Sequence, residues 1–280
     1  MLVAAGAAGG LVAGIVGVGG GIIFAPVLFY YFQMIGLAPD LLTPTTVGTS
    51  LLCTTTASIA ATWRHHANGS VDWNIAVRVG FASAAALFVV VRFATTQPWY
   101  DKQLFQLAFG TLLLIVALKM AFFAKTPTTS TEAATSRPAA AETDYDSAEQ
   151  NYGQGLLIAI GSAAGSIAAA VGVGGGIVMV PAFHQLLGLP MKRSIGTSSG
   201  AIILISMVGV VIYVIAGWGT GGSNSGYVSF VHGLILALPA AVTAGMGANI
   251  AHRANRTMLR RGFAIFAAAV AIRMLAATLI

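Results

Sequence analysis

The sequence predicts an all-α polytopic membrane protein built from two pseudo-symmetric repeats of four hydrophobic blocks each. Three observations carry this. The chain is 57% hydrophobic and 8% charged, whereas a soluble domain carries about 25% charged residues. Apolar blocks longer than about 18 residues, enough to cross a hydrocarbon core of about 30 Å, recur along it. The segment Val16-Gly17-Val18-Gly19-Gly20-Gly21-Ile22 returns unchanged as Val171-Gly172-Val173-Gly174-Gly175-Gly176-Ile177, 155 positions later. Pro26 and Pro181 keep that offset, and Val47-Gly48-Thr49-Ser50 answers to Ile195-Gly196-Thr197-Ser198.

The blocks fall at 2–35, 41–63, 71–93 and 104–123, then at 155–187, 194–218, 227–250 and 258–279. The first opens at once and leads into further spans, so it reads as mature structure and not as a cleaved signal. Between the halves, 125–151 is rich in Thr, Ala, Ser and Glu with no apolar period, and reads as a flexible polar linker outside the bilayer. The organisation is thus 1–124 as first repeat, 125–151 as linker and 152–280 as second repeat. The net charge of +6 fits the Lys and Arg excess of cytoplasmic loops and calls for no nucleic acid. Cys53 is the single cysteine, which excludes an intramolecular disulfide and any multi-cysteine metal site.

The first block of each half is awkwardly long. Some 34 residues of helix would measure about 51 Å, yet two full spans would need about 40 residues and a turn. Each block is therefore expected to break at its glycine centre, as a re-entrant hairpin or as one broken span. Non-helical backbone at that depth is tolerated only inside protein or along a watery cavity, which marks the break as a functional site. Loop charges favour inverted repeats. Lys192, Arg193 and the Arg253–Arg261 loop then lie in the cytoplasm with Arg64, Lys125 and Arg137, while Arg92, Lys102 and the C-terminus lie outside. Parallel repeats are the alternative.

The glycine segments do not fit a nucleotide loop: neither copy matches G-x-G-x-x-G, and no Walker Lys or βαβ context follows. Gly6, Gly10 and Gly14 have the spacing of tight helix packing through small residues. Half-helices starting near Gly20–Gly21 and Gly175–Gly176 would instead turn free N–H groups of Gly19, Gly20, Gly21, Gly174, Gly175 and Gly176 into the interior. Secondary transporters hold anions in this way. Thr49 lies about 12 Å into its block, so Thr49, Ser50, Thr197 and Ser198 are candidate hydroxyl donors, against the alternative of bonding to helix carbonyls. Arg78 and His232 occupy matching places in the third block of each half and could add positive potential, although an Arg near a helix end also snorkels.

Lys119 and Arg273, near span ends, read as anchors. His184 reads as structural rather than as a proton relay, and Trp63-Arg64-His65-His66 reads as an interfacial anchor, since adjacent histidines make a poor chelate. Carboxylates are nearly absent from the spans. No metal, cofactor or enzymatic pairing of nucleophile and base is expected.

Two halves, each opening with Gly-x-Gly-Gly-Gly, then Pro26 or Pro181, then Gly48–Ser50 or Gly196–Ser198, resemble the TauE/SafE sulfite exporter family, with its 4-toluene sulfonate uptake permease-like members. The paired order carries the resemblance across the chain apart from the linker; the second halves of blocks three and seven depart from it. The resemblance implies a multi-pass inner-membrane transporter, an exporter of small sulfur-containing anions such as sulfite, sulfoacetate or other organosulfonates. Alternating access between the repeats, driven by the substrate gradient or the proton-motive force, is the expected mechanism. A passive anion channel and a transporter of another small organic anion are the competing readings. The lipid bilayer and the small anion are the expected partners.

Overall fold

A computed structural model of the chain describes residues 1–95, 100–122, 152–219, 226–251 and 268–276, and every regular element among them is helical. The first half comprises α1 (Leu2–Val16), α2 (Gly21–Met34), α3 (Pro39–Ala67), α4 (Trp73–Val90, passing into a π-helical stretch Val91–Thr95) and α5 (Lys102–Phe122). The second comprises α6 (Gln154–Val171), α7 (Gly176–Gln185), α8 (Met191–Ala216), α9 (Phe230–Ala251) and α10 (268–276). Four of these, α4 with its extension, α6, α8 and α9, are long and apolar enough to cross a membrane. The protein is a multi-pass membrane protein.

Both over-long first blocks are split at the glycines. α1 has 15 residues and α2 has 14, so each is about 22 Å long and too short to span alone. The chain doubles back after α1, and a Cβ on Gly20 would lie 2.6 Å from the Gly9 carbonyl oxygen in the middle of that helix. The second half repeats the fold-back, with Gly175 placed 2.6 Å from the Ala164 oxygen by the same measure. α3 starts with Pro39 in its first turn and Asp40 beside it, and ends with Arg64, His65 and His66. Each charge suits the dipole of its helix end. Asp72 caps α4 by accepting the Ile75 N–H at 3.1 Å.

Small residues decide which helices meet. Gly6, Gly10 and Gly14 on α1 lie directly on the carbonyl oxygens of Leu236, Ala240 and Ala244 on α9. Gly161 and Gly165 on α6 lie on Val79 and Ser83 of α4. Each half thus lays its first helix on a long helix of the other, backbone to backbone, as small-residue faces permit. Reading such contacts in order shows that α1, α3 and α9 run in one direction, and α4, α6 and α8 in the other. At the centre α3 and α8 are antiparallel: Gly48 meets Tyr213, Leu51 meets Gly209, and His65 meets Gly196.

Large apolar side chains remain exposed on the outer faces, among them Phe81 and Phe88 on α4, Val211 and Ile215 on α8, and Leu238 and Val242 on α9. A hydrocarbon solvent accounts for that surface. Trp63 and Trp218, both exposed, stand at the ends of α3 and α8, where amphipathic rings favour the interface. The Arg273 guanidinium lies 4.5 Å from the centre of the Tyr30 ring, so it packs on an aromatic face. The linker 125–151, the Arg253–Arg261 loop and the side chain of Lys119 lie outside the described residues.

Replacing Gly14 by Ala is expected to lower the melting temperature of the detergent-purified protein, at a cost of about 1–3 kcal/mol for forcing a methyl between touching backbones. Gly155→Ala, in a first helical turn with nothing within 4 Å of the added Cβ, should be neutral or stabilising by up to about 1 kcal/mol. Equal shifts in the two variants would refute close backbone approach as the reason for Gly14.

Candidate functional site: the crossing of two glycine breaks

Identical sequence folds identically at the two breaks. Gly17, Gly19 and Gly20 take φ of 71°, 82° and 76°, and Gly172, Gly174 and Gly175 take 72°, 78° and 76°. Three left-handed residues within four positions exclude residues bearing a Cβ, and here they reverse the chain between two half-helices. Gly17 and Gly172 close α1 and α6 by donating to the Ala13 and Ala168 carbonyls, each at 2.9 Å. Gly20 and Gly175 open α2 and α7 and have no side chain with which to cap them.

The first N–H groups bonded into α2 are those of Ile23 and Phe24, at 2.9 and 3.1 Å from the Gly20 oxygen; in α7 they are those of Val178 and Met179 on Gly175. Among the described residues, no acceptor takes the N–H groups of Gly19, Gly20, Gly21, Gly174, Gly175 or Gly176. These donors sit at the positive ends of two half-helix dipoles.

The breaks face one another. A Cβ on Gly21 would lie 2.5 Å from the Gly172 oxygen, and one on Gly176 would lie 2.6 Å from the Val18 α-carbon. All residues from 17 to 21 and from 171 to 176 are buried. The six candidate glycines are therefore gathered into one closed crossing.

Both Gly-Thr-Ser triplets border it, and each reaches into the opposite half. Ser50 Oγ donates to the Gly172 carbonyl at 2.8 Å, and Ser198 Oγ donates to the Gly17 carbonyl at 2.9 Å. Each serine thus spends its one proton on the residue that closes the other half's first helix. Thr49 Oγ1 accepts the Ser229 N–H at 3.0 Å, just before α9, and Thr197 Oγ1 accepts the Asp72 N–H at 2.9 Å, just before α4. Both threonines keep a proton to donate. Gly48 and Gly196 leave room for the carbonyls of Tyr227 and Ser70 on those same connections. The triplet works as a unit: the glycine admits a loop, the threonine holds it, and the serine fixes the break.

Arg78 and His232 are not brought to the crossing. Ala76 and Gly80 turn toward α8, which leaves Arg78 on the exposed face of α4. His232 is half-buried, with Nδ1 2.7 Å from Ser229 Oγ and its ring against Tyr31 and Phe32. His184 is exposed, and its Nδ1 donates to the Leu189 carbonyl at 2.9 Å beyond the end of α7. The two adjacent histidines diverge. His66 accepts from Trp73 Nε1 at 3.2 Å, while His65 is buried and its Nε2 donates to the Gly14 carbonyl at 3.1 Å. Tyr213 fills the matching place in the second half, donating to the Ala169 carbonyl at 2.9 Å.

Other side chains at the crossing carry no duplicated motif and escape a motif search. The Cγ2 atoms of Thr54 and Ile202 both lie within 3.1 Å of the Cβ position on Gly19, and of the one on Gly174. Ser58 Oγ is 3.3 Å from the Cβ position on Gly19. Among the described residues, the buried hydroxyls of Thr54, Ser58 and Thr62 have no hydrogen-bond partner. Their four-residue spacing on α3 was the one available signal.

Ser50→Ala and Ser198→Ala are each expected to destabilise the protein by about 1–3 kcal/mol, because each leaves a buried carbonyl without its donor. Melting of the purified variants in the absence of any anion checks this. Unchanged melting in both would remove the serines from the scaffold.

Comparison with known proteins agrees with this architecture. The family model described as sulfite exporter TauE/SafE matches residues 2–274. A "Probable membrane transporter protein" of Haemophilus influenzae is 26% identical over 96% of this chain and 95% of its own length. The "Probable membrane transporter protein MJ0441" of Methanocaldococcus jannaschii is 28% identical over 90% of this chain and 85% of its own. The "Probable membrane transporter protein YunE" of Bacillus subtilis is 28% identical over 78% of each chain. No solved structure matches. The chain belongs to the sulfite exporter TauE/SafE family and is a membrane transporter of that type.

Proposed function

We propose that this TauE/SafE family member is a secondary transporter that exports a small sulfur-containing anion, sulfite or an organosulfonate, by alternating access between its two repeats. The observation that carries the reading is the crossing of two uncapped half-helix starts. They aim neutral N–H donors and two positive dipole ends at one buried point, an arrangement suited to an oxyanion and hostile to a cation. Sulfite comes from the family description, and organosulfonates share its sulfur oxyanion group. In this reading Gly19–Gly21 and Gly174–Gly176 contact the anion, with the spare protons of Thr49 and Thr197 at the border of the site. Ser50 and Ser198 hold the two breaks in position. Arg78, at the start of α4, and His232, beside Ser229, draw anions toward the ends of the path without touching the bound one.

The burial of both breaks favours a carrier over a permanently open channel, which would leave the glycines wet. Release then requires the halves to part, exposing the crossing to one side at a time. The substrate gradient or the proton-motive force would drive the cycle. Antiparallel α3 and α8, which carry the two Gly-Thr-Ser triplets, support inverted repeats with re-entrant α1–α2 and α6–α7 hairpins. With the basic loops inside, the protein would sit in the inner membrane with its C-terminus outside.

Sulfite or an organosulfonate should raise the melting temperature of the purified protein at constant ionic strength, since a ligand of the folded state stabilises it by mass action. Reconstituted vesicles should show saturable counterflow of the same anion. Conductance without saturation would favour the channel instead, and no response to any sulfur oxyanion would refute the substrate class. Topology has its own test. Asp40→Cys and Lys192→Cys, at exposed starts of α3 and α8, should react with an impermeant thiol reagent from opposite sides of the membrane. Labelling from the same side would mean parallel repeats.

A further inference from the structure

We infer that the anion is held on one side of the crossing by the Ser58 hydroxyl on α3, and that the site takes monoanions in preference to dianions. This rests on the reading that the glycine crossing binds the transported anion, and it names a side chain and the charge state.

Three facts converge on α3. In register with the two triplets, 148 positions apart, Thr54 matches Ile202, Ser58 matches Ser206, and Thr62 matches Val210. The α3 members are 0%, 1% and 3% exposed, and their hydroxyls have no partner among the described residues. On α8 the only hydroxyl of the three positions, Ser206, already donates to the Ile202 carbonyl at 2.6 Å. Buried hydroxyls on a helix ordinarily bond back to their own carbonyls, as Thr46 and Ser83 do here. Thr54 and Ser58 do not; Ser58 Oγ faces the Gly19 break at 3.3 Å from its Cβ position, whereas Thr54 turns its Cγ2 methyl to both breaks. An unmatched buried hydroxyl is costly to keep, and a bound oxyanion would complete that of Ser58.

The donors available at this point are the N–H groups of the two glycine breaks and the Ser58 hydroxyl. None of the atoms closest to the six glycines belongs to a charged side chain. The cost of stripping water from an ion rises with the square of its charge, and a buried dianion without a cationic partner cannot recover it. A monoanion can, through several charge-assisted hydrogen bonds from neutral donors. Thr54 and Ile202 each present a methyl group to the crossing, which suits an anion with one apolar face. Thr62, a turn beyond Ser58, extends the hydroxyl line to about 12 Å along α3.

The test uses the full chain in detergent, with methanesulfonate as monoanion and sulfate as dianion at constant ionic strength, read by thermal shift against concentration. Methanesulfonate should stabilise the wild type and sulfate should not. Ser58→Ala should weaken methanesulfonate about tenfold, with the ligand-free melting temperature unchanged or raised, whereas Thr54→Val, which keeps a methyl at the crossing, should leave the affinity within about twofold. Ser206→Ala should leave the affinity within about twofold. Equal stabilisation by sulfate overturns the charge preference, and equal weakening by Ser206→Ala overturns the one-sided site. Wild-type affinity in Ser58→Ala removes the hydroxyl while leaving the crossing as the anion site. No shift of the wild type with either anion takes down the crossing reading and this inference together.

Discussion

A helix broken inside hydrocarbon exposes carbonyl and N–H groups that lipid cannot satisfy, and the arrangement of this protein follows from where those groups go. The carbonyl of Gly17 is taken by Ser198 and that of Gly172 by Ser50. Each half therefore supplies the donor that the other half's break requires, and neither break is complete alone. The N–H groups at the starts of α2 and α7 receive no such donor-acceptor closure among the described residues. The satisfied carbonyls fix the geometry, and the N–H groups are what the proposed anion would meet.

Holding two breaks in contact demands that backbones approach more closely than ordinary side chains allow. Glycine meets that demand at the α1–α9 and α4–α6 seams, at Gly48 and Gly196 on the central pair, and at Gly21 and Gly176 where the breaks touch. In a membrane there is little hydrophobic drive for one helix to bury against another, so close van der Waals contact and interhelical hydrogen bonds carry the association. Abundant glycine and interlocked halves are consequences of the same requirement.

Duplication kept the scaffold and released the chemistry. The triplets, the three left-handed glycines and the first-helix contacts repeat in both halves, whereas the side chains over the crossing have diverged. Thr54 faces Ile202, Ser58 with an unspent proton matches Ser206 with a spent one, and His65 matches Tyr213 in holding the last turn of a first half-helix. A two-fold frame carries an asymmetric polar lining.

Much of this is legible in the chain itself. Composition requires a membrane protein, because so few charges cannot cover a wet surface. Two identical glycine segments in blocks too long for one span require two breaks, because only glycine readily takes the left-handed conformations that reverse a chain so tightly. The roles within Gly-Thr-Ser are not legible, since a hydroxyl that could meet an anion and one that meets a carbonyl look the same in sequence. Only the tertiary structure gives Ser50 and Ser198 their carbonyls, turns Arg78 outward and leaves Thr54 and Ser58 unpaired. The division has a physical cause. Periodicity, propensity and backbone conformation are local properties that a sequence states directly, whereas the partner of a buried polar atom is a distant residue brought near by packing.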